Sequence, residues 1–321
     1  MNTEGIKGHH RQIKILEFLL KNKTIPQVIL FSGMSGIGKR LLANRFLNAL
    51  FCTEDNSPCL NCPACRQIAL ETFPDYIEIH PNEKGIIPIG NEETPEKGSI
   101  RWLIERLSSR SISGTKGILI DGLDRITEEG QNALLKTIEE PTQGTYFILI
   151  SSNRSNLLPT ILSRCTEIKY FSLSDRDVKE ILLRNNPTGN MNVDTDLILS
   201  LSGGSLEIAY YITNNDIFNS VIELCQAITS FFSKGKYLDI DPILTANKIG
   251  IELLFDIVIN IFRQNLLAIL KEEKIHPFLE NIYIDDKIKV MNIIRKMLLL
   301  KKGISRNLNI KYALKSMLYS V

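Results

Sequence analysis

The sequence has no long uninterrupted apolar run. Its best stretch, Ile251 to Phe262, is broken by Asp256 and Asn260 and falls short of the roughly 20 residues needed to span a bilayer. The opening residues, Met1 to His10, contain no apolar signal-peptide core. These absences point away from a membrane and towards the cytosol. An excess of one charge is also missing: 38 Lys and Arg against 36 Asp and Glu leave a formal net charge of +2. Nucleic-acid binders normally concentrate basic residues on one face, so composition gives no ground for DNA binding by this chain alone. Any DNA contact would be local or shared with partners. Histidine is scarce, and His9, His10, His80 and His276 show no spacing suited to a metal or a catalytic triad; they read as surface or boundary positions. What is present, 44% hydrophobic and 23% charged residues over 321 positions, is an ordinary globular composition. It is enough chain for two or three domains with separate cores.

Two further absences are single positions with chemical consequences. Gly33-Met34-Ser35-Gly36-Ile37-Gly38-Lys39 reproduces the glycines and lysine of a Walker A phosphate loop, but the Ser or Thr that should follow is Arg40. In the working motif backbone N–H groups cradle the phosphates, the lysine reaches the β/γ oxygens and the hydroxyl ligates Mg²⁺. A guanidinium has five donors and no lone pair for a metal. Ile118 to Asp124 has the form of a Walker B strand with Asp121 at its end, where an acid would hold Mg²⁺. The glutamate that usually follows to position water is replaced by Gly122. For hydrolysis, the favoured reading of Asp121 and Asp124 is a strand-end acid and a helix or loop cap. The pair of losses points to a nucleotide-binding fold without hydrolysis.

The first half alternates short β-rich runs with helical periodicity, as in a parallel sheet covered by helices. Candidate strands are Val28–Phe31, Tyr76–His80, Ile118–Asp121, Tyr146–Ser151 and Glu167–Phe171, continuous apolar runs of the kind buried parallel strands require. After the phosphate loop, Leu42, Phe46 and Leu50 recur at helical spacing. Asn82 to Gly98, with Pro88, Pro95 and three glycines, has no period and reads as an exposed loop. A helix begins near Thr127 and is ended by Pro141 and Gly144. Beyond Ser172 the β signals fade. Ser174 with Asp175 and Asp177 starts a helix, and Gly203-Gly204-Ser205 ends one helix and caps the next. Helical patterns follow over Ile251–Leu270, Asp285–Leu300 and Ile304–Tyr319. Boundaries fall near 172 and 213, giving domains at 1–172, 173–213 and 214–321.

Of six cysteines, Cys165 and Cys225 stand alone, while Cys52, Cys59, Cys62 and Cys65 crowd one segment. In a reducing compartment that argues for metal over disulfides, the alternative being four unligated thiols. Pro58 and Pro63 suit the tight turns such a cluster needs.

Gln131-Asn132-Ala133-Leu134-Leu135-Lys136-Thr137-Ile138-Glu139-Glu140-Pro141 and Leu158-Pro159-Thr160-Ile161-Leu162-Ser163-Arg164-Cys165, with the phosphate loop and the cysteine cluster, closely resemble the bacterial clamp-loader subunits of DNA polymerase III. The resemblance is strong over the first 170 residues, moderate over the next forty, and beyond that rests on helical character and on Asn307 to Leu318. It implies an α/β, AAA+ type P-loop domain with a parallel five-stranded sheet, a small helical lid and a C-terminal all-helical collar domain for oligomerisation. It marks Arg164 as an arginine finger presented to ATP on a neighbouring subunit; the other reading is an arginine closing a loop by a salt bridge. Ser152 lies at the family's first sensor position, and could equally be a polar strand cap. Cys52, Cys59, Cys62 and Cys65 resemble the family's zinc module at 52–65, a closed and therefore structural site. Gly33, Gly36, Gly38, Lys39, Arg40, Asp121 and Ser152 would form a degenerate nucleotide site. Arg40 and Gly122, with Glu207 and Ile208 where hydrolysing relatives place a basic sensor, resemble the delta prime type. The implied partners are gamma/tau and delta subunits, and the beta sliding clamp and primed DNA through the assembly, with ATP and Mg²⁺ held by the neighbour. The rival readings are a gamma/tau-like subunit that hydrolyses ATP, and a free-standing zinc-stabilised DNA-binding module. The stripe Leu308, Ala313, Leu314, Met317 and Leu318 reads as either a partner-facing surface or one domain's core.

Overall fold

A computed structural model describes residues 1–185, 194–213, 215–234 and 251–304. Contacts divide the chain into two units, Met1–Ser172 and Leu173–Val321.

The first unit is built on five parallel strands: β1 (Val28–Ser32), β2 (Tyr76–Ile79), β3 (Lys116–Asp121), β4 (Thr145–Ser151) and β5 (Thr166–Lys169), in the order β2-β3-β4-β1-β5. The register pairs Ile29 with Ile148 on one side and with Thr166 on the other, and Ile118 with Phe147. Side chains alternate across the sheet. Val28, Leu30, Ile118, Ile120, Phe147 and Leu149 face one layer, into which α4 (Ile100–Ser108) sends Leu103 and Leu107, and α5 (Glu128–Glu139) sends Leu134 and Ile138. Residues of the other parity, among them Ile29, Phe31, Leu119, Ile148 and Ile150, are buried too. That face meets α2 (Lys39–Phe51), whose Leu42, Ala43, Phe46 and Leu47 are buried at helical spacing. Burial on both faces explains why the central strands are continuous apolar runs.

β5 departs from that pattern. The expected apolar strand Glu167–Phe171 stops at Lys169, Thr166 and Lys169 are exposed, and Phe171 is 66% exposed. As an edge strand it needs cover on one flank only. Asn82 to Gly98 forms neither helix nor strand, yet it is not wholly exposed: Ile87 is buried, bridges to Ile126 and donates its N–H to Arg125 O at 3.1 Å. α1 (His10–Asn22), α3 (Pro63–Ala69) and the short α6 (Pro159–Leu162) complete the unit. A five-stranded parallel sheet with a phosphate loop after β1, followed by a helical region, is the AAA+ type architecture that the resemblance implies.

In the second unit, α7 (Asp175–Asn185) starts at Ser174, whose Oγ accepts from Asp177 N–H at 3.1 Å. α8 (Thr195–Ser202) ends on left-handed Gly203, and Ser205 Oγ accepts from Ile208 N–H to open α9 (Leu206–Thr213). α10 (Asn215–Lys234), α11 (Ile251–Lys271) and α12 (Lys287–Ile304) follow. Asn260 and Gln264 of α11 donate to Leu201 O at 2.8 Å and Ser200 O at 2.7 Å, so helices on either side of residue 213 share one unit. α11 runs well past Phe262, and Glu252–Lys271 is long and apolar enough, by length and composition only, to cross a membrane. Its Leu254, Phe255, Val258, Ile261 and Phe262 are buried within the unit, and the core helix of a soluble protein has the same composition. The stripe Leu308 to Leu318 lies outside the described residues.

Candidate functional site: a phosphate loop, an arginine and a cysteine cluster

The chain leaves β1 at Ser32 and turns at once into the phosphate loop. Gly33 has φ +151°, and a Cβ there would lie 2.5 Å from Tyr170 O, so no larger residue fits. Gly38, also with positive φ, is the N-cap of α2. Lys39 is 95% buried, and its Nζ donates to Gly33 O at 2.5 Å and Met34 O at 2.6 Å, with Ser152 Oγ at 3.4 Å. Ser152 N–H in turn donates to Asp124 Oδ1 at 3.0 Å. Lys39 is thus folded back onto its own loop, with Ser152 beside it. His9 belongs here as well: its Nε2 is 2.7 Å from Ile37 O and its ring meets Tyr170 edge-on at 5.0 Å. Nothing in the spacing of the histidines signalled that contact.

Beside the loop stands Arg40, in the first turn of α2. Its Nη2 is 2.6 Å from Glu78 Oε1 on β2, and its Nε is 3.8 Å from Asp121 Oδ2 at the end of β3. Burial pushes the Asp121 carboxyl above its ordinary range, against the pull of Arg40 and Lys39. Glu78 was missed in the sequence, although it is an acid within a short apolar strand run, a position where a charge needs a partner. Gly122, with φ +95°, turns the chain away from Asp121. These groups do not fit a magnesium-bound nucleotide, because the corner for the metal is lined by a cation.

Arg164 lies at the other end of the strands, beside the edge strand β5. It lies two residues before the start of β5, whereas the phosphate loop follows β1; with the strands parallel and Ile29 opposite Thr166, four steps from Ile29 to Gly33 interpose about 13 Å along the strand direction. Its side chain pairs with Glu139, and Nη1 donates to Thr160 O at 2.8 Å and approaches Ser163 Oγ at 3.3 Å. The pair is solvent-accessible, with Arg164 35% and Glu139 40% exposed. At the other end of α5, buried Gln131 donates to Ile126 O at 3.2 Å and Asn156 O at 2.9 Å and accepts from Leu158 N–H at 2.9 Å. The two motif strings are thus one assembly: α5 grips the segment that carries Arg164 through Gln131 at its start and Glu139 at its end.

The cysteine cluster spans the end of α2 and the start of α3. Sγ atoms of Cys52, Cys59, Cys62 and Cys65 all lie within 4.8 Å of one another. A tetrahedral Zn–S shell at about 2.3 Å sets sulfurs about 3.8 Å apart, close to the 4.0 Å between Cys62 and Cys52. Backbone N–H groups of Cys59 and Cys62 donate to Cys52 Sγ at 3.3 Å and Cys59 Sγ at 3.2 Å, the donors a thiolate uses. Those from Asn61 and Cys62 bring the Cys59 thiol down to about 7, while burial raises Cys65 to about 12. The four cysteines can hold a metal ion.

Residues 8–174 match the family described as DNA polymerase III, delta subunit. The DNA polymerase III subunit delta' of Bacillus subtilis is 24% identical over 315 residues, 94% of this chain and 92% of that protein. The delta' subunit of Pseudomonas aeruginosa is 34% identical over 179 residues, 55% of this chain but only 52% of the relative's own length. Among solved structures, a protein related to the DNA polymerase III gamma subunit from Thermotoga maritima covers 95% of this chain and 97% of its own, at 18% identity and a TM-score of 0.45.

Proposed function

The chain belongs to the DNA polymerase III delta-subunit family, as a delta prime clamp-loader subunit, and from that premise we propose that it lends Arg164 to ATP held by a neighbouring gamma/tau subunit without hydrolysing ATP itself. The observation that carries the reading is the separation within one sheet. Arg164 stands before β5, at the opposite end of the strands from the phosphate loop that follows the adjacent β1, so its guanidinium points away from a phosphate bound there. A second subunit can bring a phosphate to it. A fixed, delocalised cation suits charge spreading over a transferring phosphoryl group, and fingers of this kind are worth about 10³ to 10⁵ in rate. The pairing with exposed Glu139 is compatible with that role, since a screened surface pair is worth only about 0–1 kcal/mol and can be exchanged for a phosphate.

Several features argue against the gamma/tau-like alternative. Arg40 removes the metal's hydroxyl, Gly122 removes the water-positioning acid, and α9 offers Glu207 and Ile208 where a basic sensor would stand. Zinc is the ion we assign to Cys52, Cys59, Cys62 and Cys65; a closed shell of four thiolates would brace the loop between α2 and α3 without taking part in chemistry. In this reading the chain works in the cytoplasm, beside gamma/tau and delta subunits, and meets the beta sliding clamp and primed DNA through the assembly.

Reconstitution with gamma/tau and delta subunits tests the proposal. Arg164→Ala should leave assembly intact on gel filtration while turnover at the adjoining ATP site falls about 10³-fold or more, and the isolated wild-type chain should show no turnover. Unchanged ATPase in the Arg164→Ala assembly would remove the finger, and Mg²⁺-dependent turnover by the chain alone would favour the gamma/tau-like reading.

A further inference from the structure

A phosphate loop receives its divalent cation in a corner made by the hydroxyl after the lysine and by acids at the ends of neighbouring strands. Here the strand-end acid Asp121 and a second carboxylate, Glu78 within β2, both lie against Arg40. We propose that Arg40 is a tethered counter-cation that fills this corner, making the loop indifferent to Mg²⁺ and closed to metal–nucleotide complexes.

Three observations carry the inference. The guanidinium touches Glu78 at 2.6 Å through one nitrogen and lies 3.8 Å from Asp121 through another, so one fixed charge serves both the strand-end acid and its largely buried neighbour. A divalent ion entering there would have to expel a cation that cannot lose its proton. Secondly, the pairing is anchored from behind. Glu78 is 12% exposed, and its second oxygen is 3.4 Å from the hydroxyl of Tyr76, which also hydrogen-bonds to Asn44, one turn along α2 from Arg40. The series Asp121, Arg40, Glu78, Tyr76 and Asn44 therefore welds the first turns of α2 to β2 and β3. Thirdly, Lys39 is turned onto Gly33 O and Met34 O of its own loop, so the loop's geometry is satisfied without a phosphate. The inference concerns the chain's own loop and does not depend on Arg164 acting on a neighbour.

Mn²⁺ with ATP is the probe, read by electron paramagnetic resonance on the full chain. Arg40→Thr alone would return the hydroxyl but strand Glu78, so Arg40→Thr/Glu78→Gln is the informative variant. Wild type should leave the Mn²⁺-ATP signal unchanged. The folded double variant should bind Mn²⁺-ATP at least about tenfold more tightly, and adding Asp121→Asn should abolish the gain. Equal binding by wild type and double variant, tight or absent, would overturn the proposal. Should the double variant fail to fold, exchange of the wild-type Arg40 Nε–H decides by NMR: a rate unaltered by Mg²⁺-ATP supports the tethered cation, and faster exchange overturns it. No partner subunit enters these measurements, so their failure and a failure of the trans-acting finger are distinguishable.

Discussion

Asp121 carries two opposing influences, and their balance is measurable. Burial raises its carboxyl above the ordinary range, while Arg40 and then Lys39 pull it down. The folded state thus holds this proton more tightly than the unfolded chain does. The sign follows from linkage: the stability Asp121 contributes is fully present below the ordinary carboxylate range and is lost as pH rises through the raised folded value. Removing the guanidinium removes the largest lowering influence. In Arg40→Thr the Asp121 titration followed by carboxyl NMR should therefore move upward from its wild-type midpoint, widening the pH window over which stability is lost. An unchanged midpoint would mean that Arg40 does not compensate Asp121.

Among the elements, α5 explains why two separated strings carry so much information. Its apolar face, Leu134 and Ile138, is core, but its two polar ends reach the segment around α6. Gln131 makes three hydrogen bonds to backbone groups, and leaving buried partners unsatisfied costs about 1–3 kcal/mol each. Gln131→Leu should lower unfolding stability by about 2–4 kcal/mol in denaturant titration, with hydrogen exchange of residues 154–165 accelerated more than that of β1 and β4. Uniform acceleration across the sheet would show that Gln131 braces the core instead. The cysteine segment makes a second element-level case. Cys65→Ser should remove bound zinc in metal analysis and loosen 52–69, with β1, β3 and β4 unaffected; retention of one zinc per chain would exclude Cys65 as a ligand.

The elements were largely legible in the sequence because their burial is two-sided: β1, β3 and β4 are apolar throughout, and Thr127, Ser174 and Gly203 stop or start helices through their own side chains or backbone. β5 was read too long because Tyr170 and Phe171 look like strand residues, while the sheet needs only its inner flank. The lining of the site was less legible. Lys39, Arg40 and Asp121 are set by local motifs, but Glu78, His9 and Tyr170 reach the loop only through tertiary folding, and no spacing along the chain records such contacts. Gln131 and Glu139 stood inside a recognised string, yet which groups they hold becomes visible only when α5 lies beside α6.

At the scale of the whole molecule, the sheet of the N-terminal unit carries charged groups at both ends of its strands. One end holds a phosphate loop whose metal corner contains Arg40; the other presents Arg164 on a scaffold held by α5. The proposed role, acting on ATP that another subunit binds, rests on this division. The most direct measurement is a cryo-EM structure of the reconstituted assembly with a phosphoryl-transfer transition-state analogue on the gamma/tau subunit. The account predicts Arg164 released from Glu139, with a guanidinium nitrogen about 3 Å from the analogue's equatorial oxygens. Arg164 still paired with Glu139, and no residue of this chain touching the analogue, would contradict it.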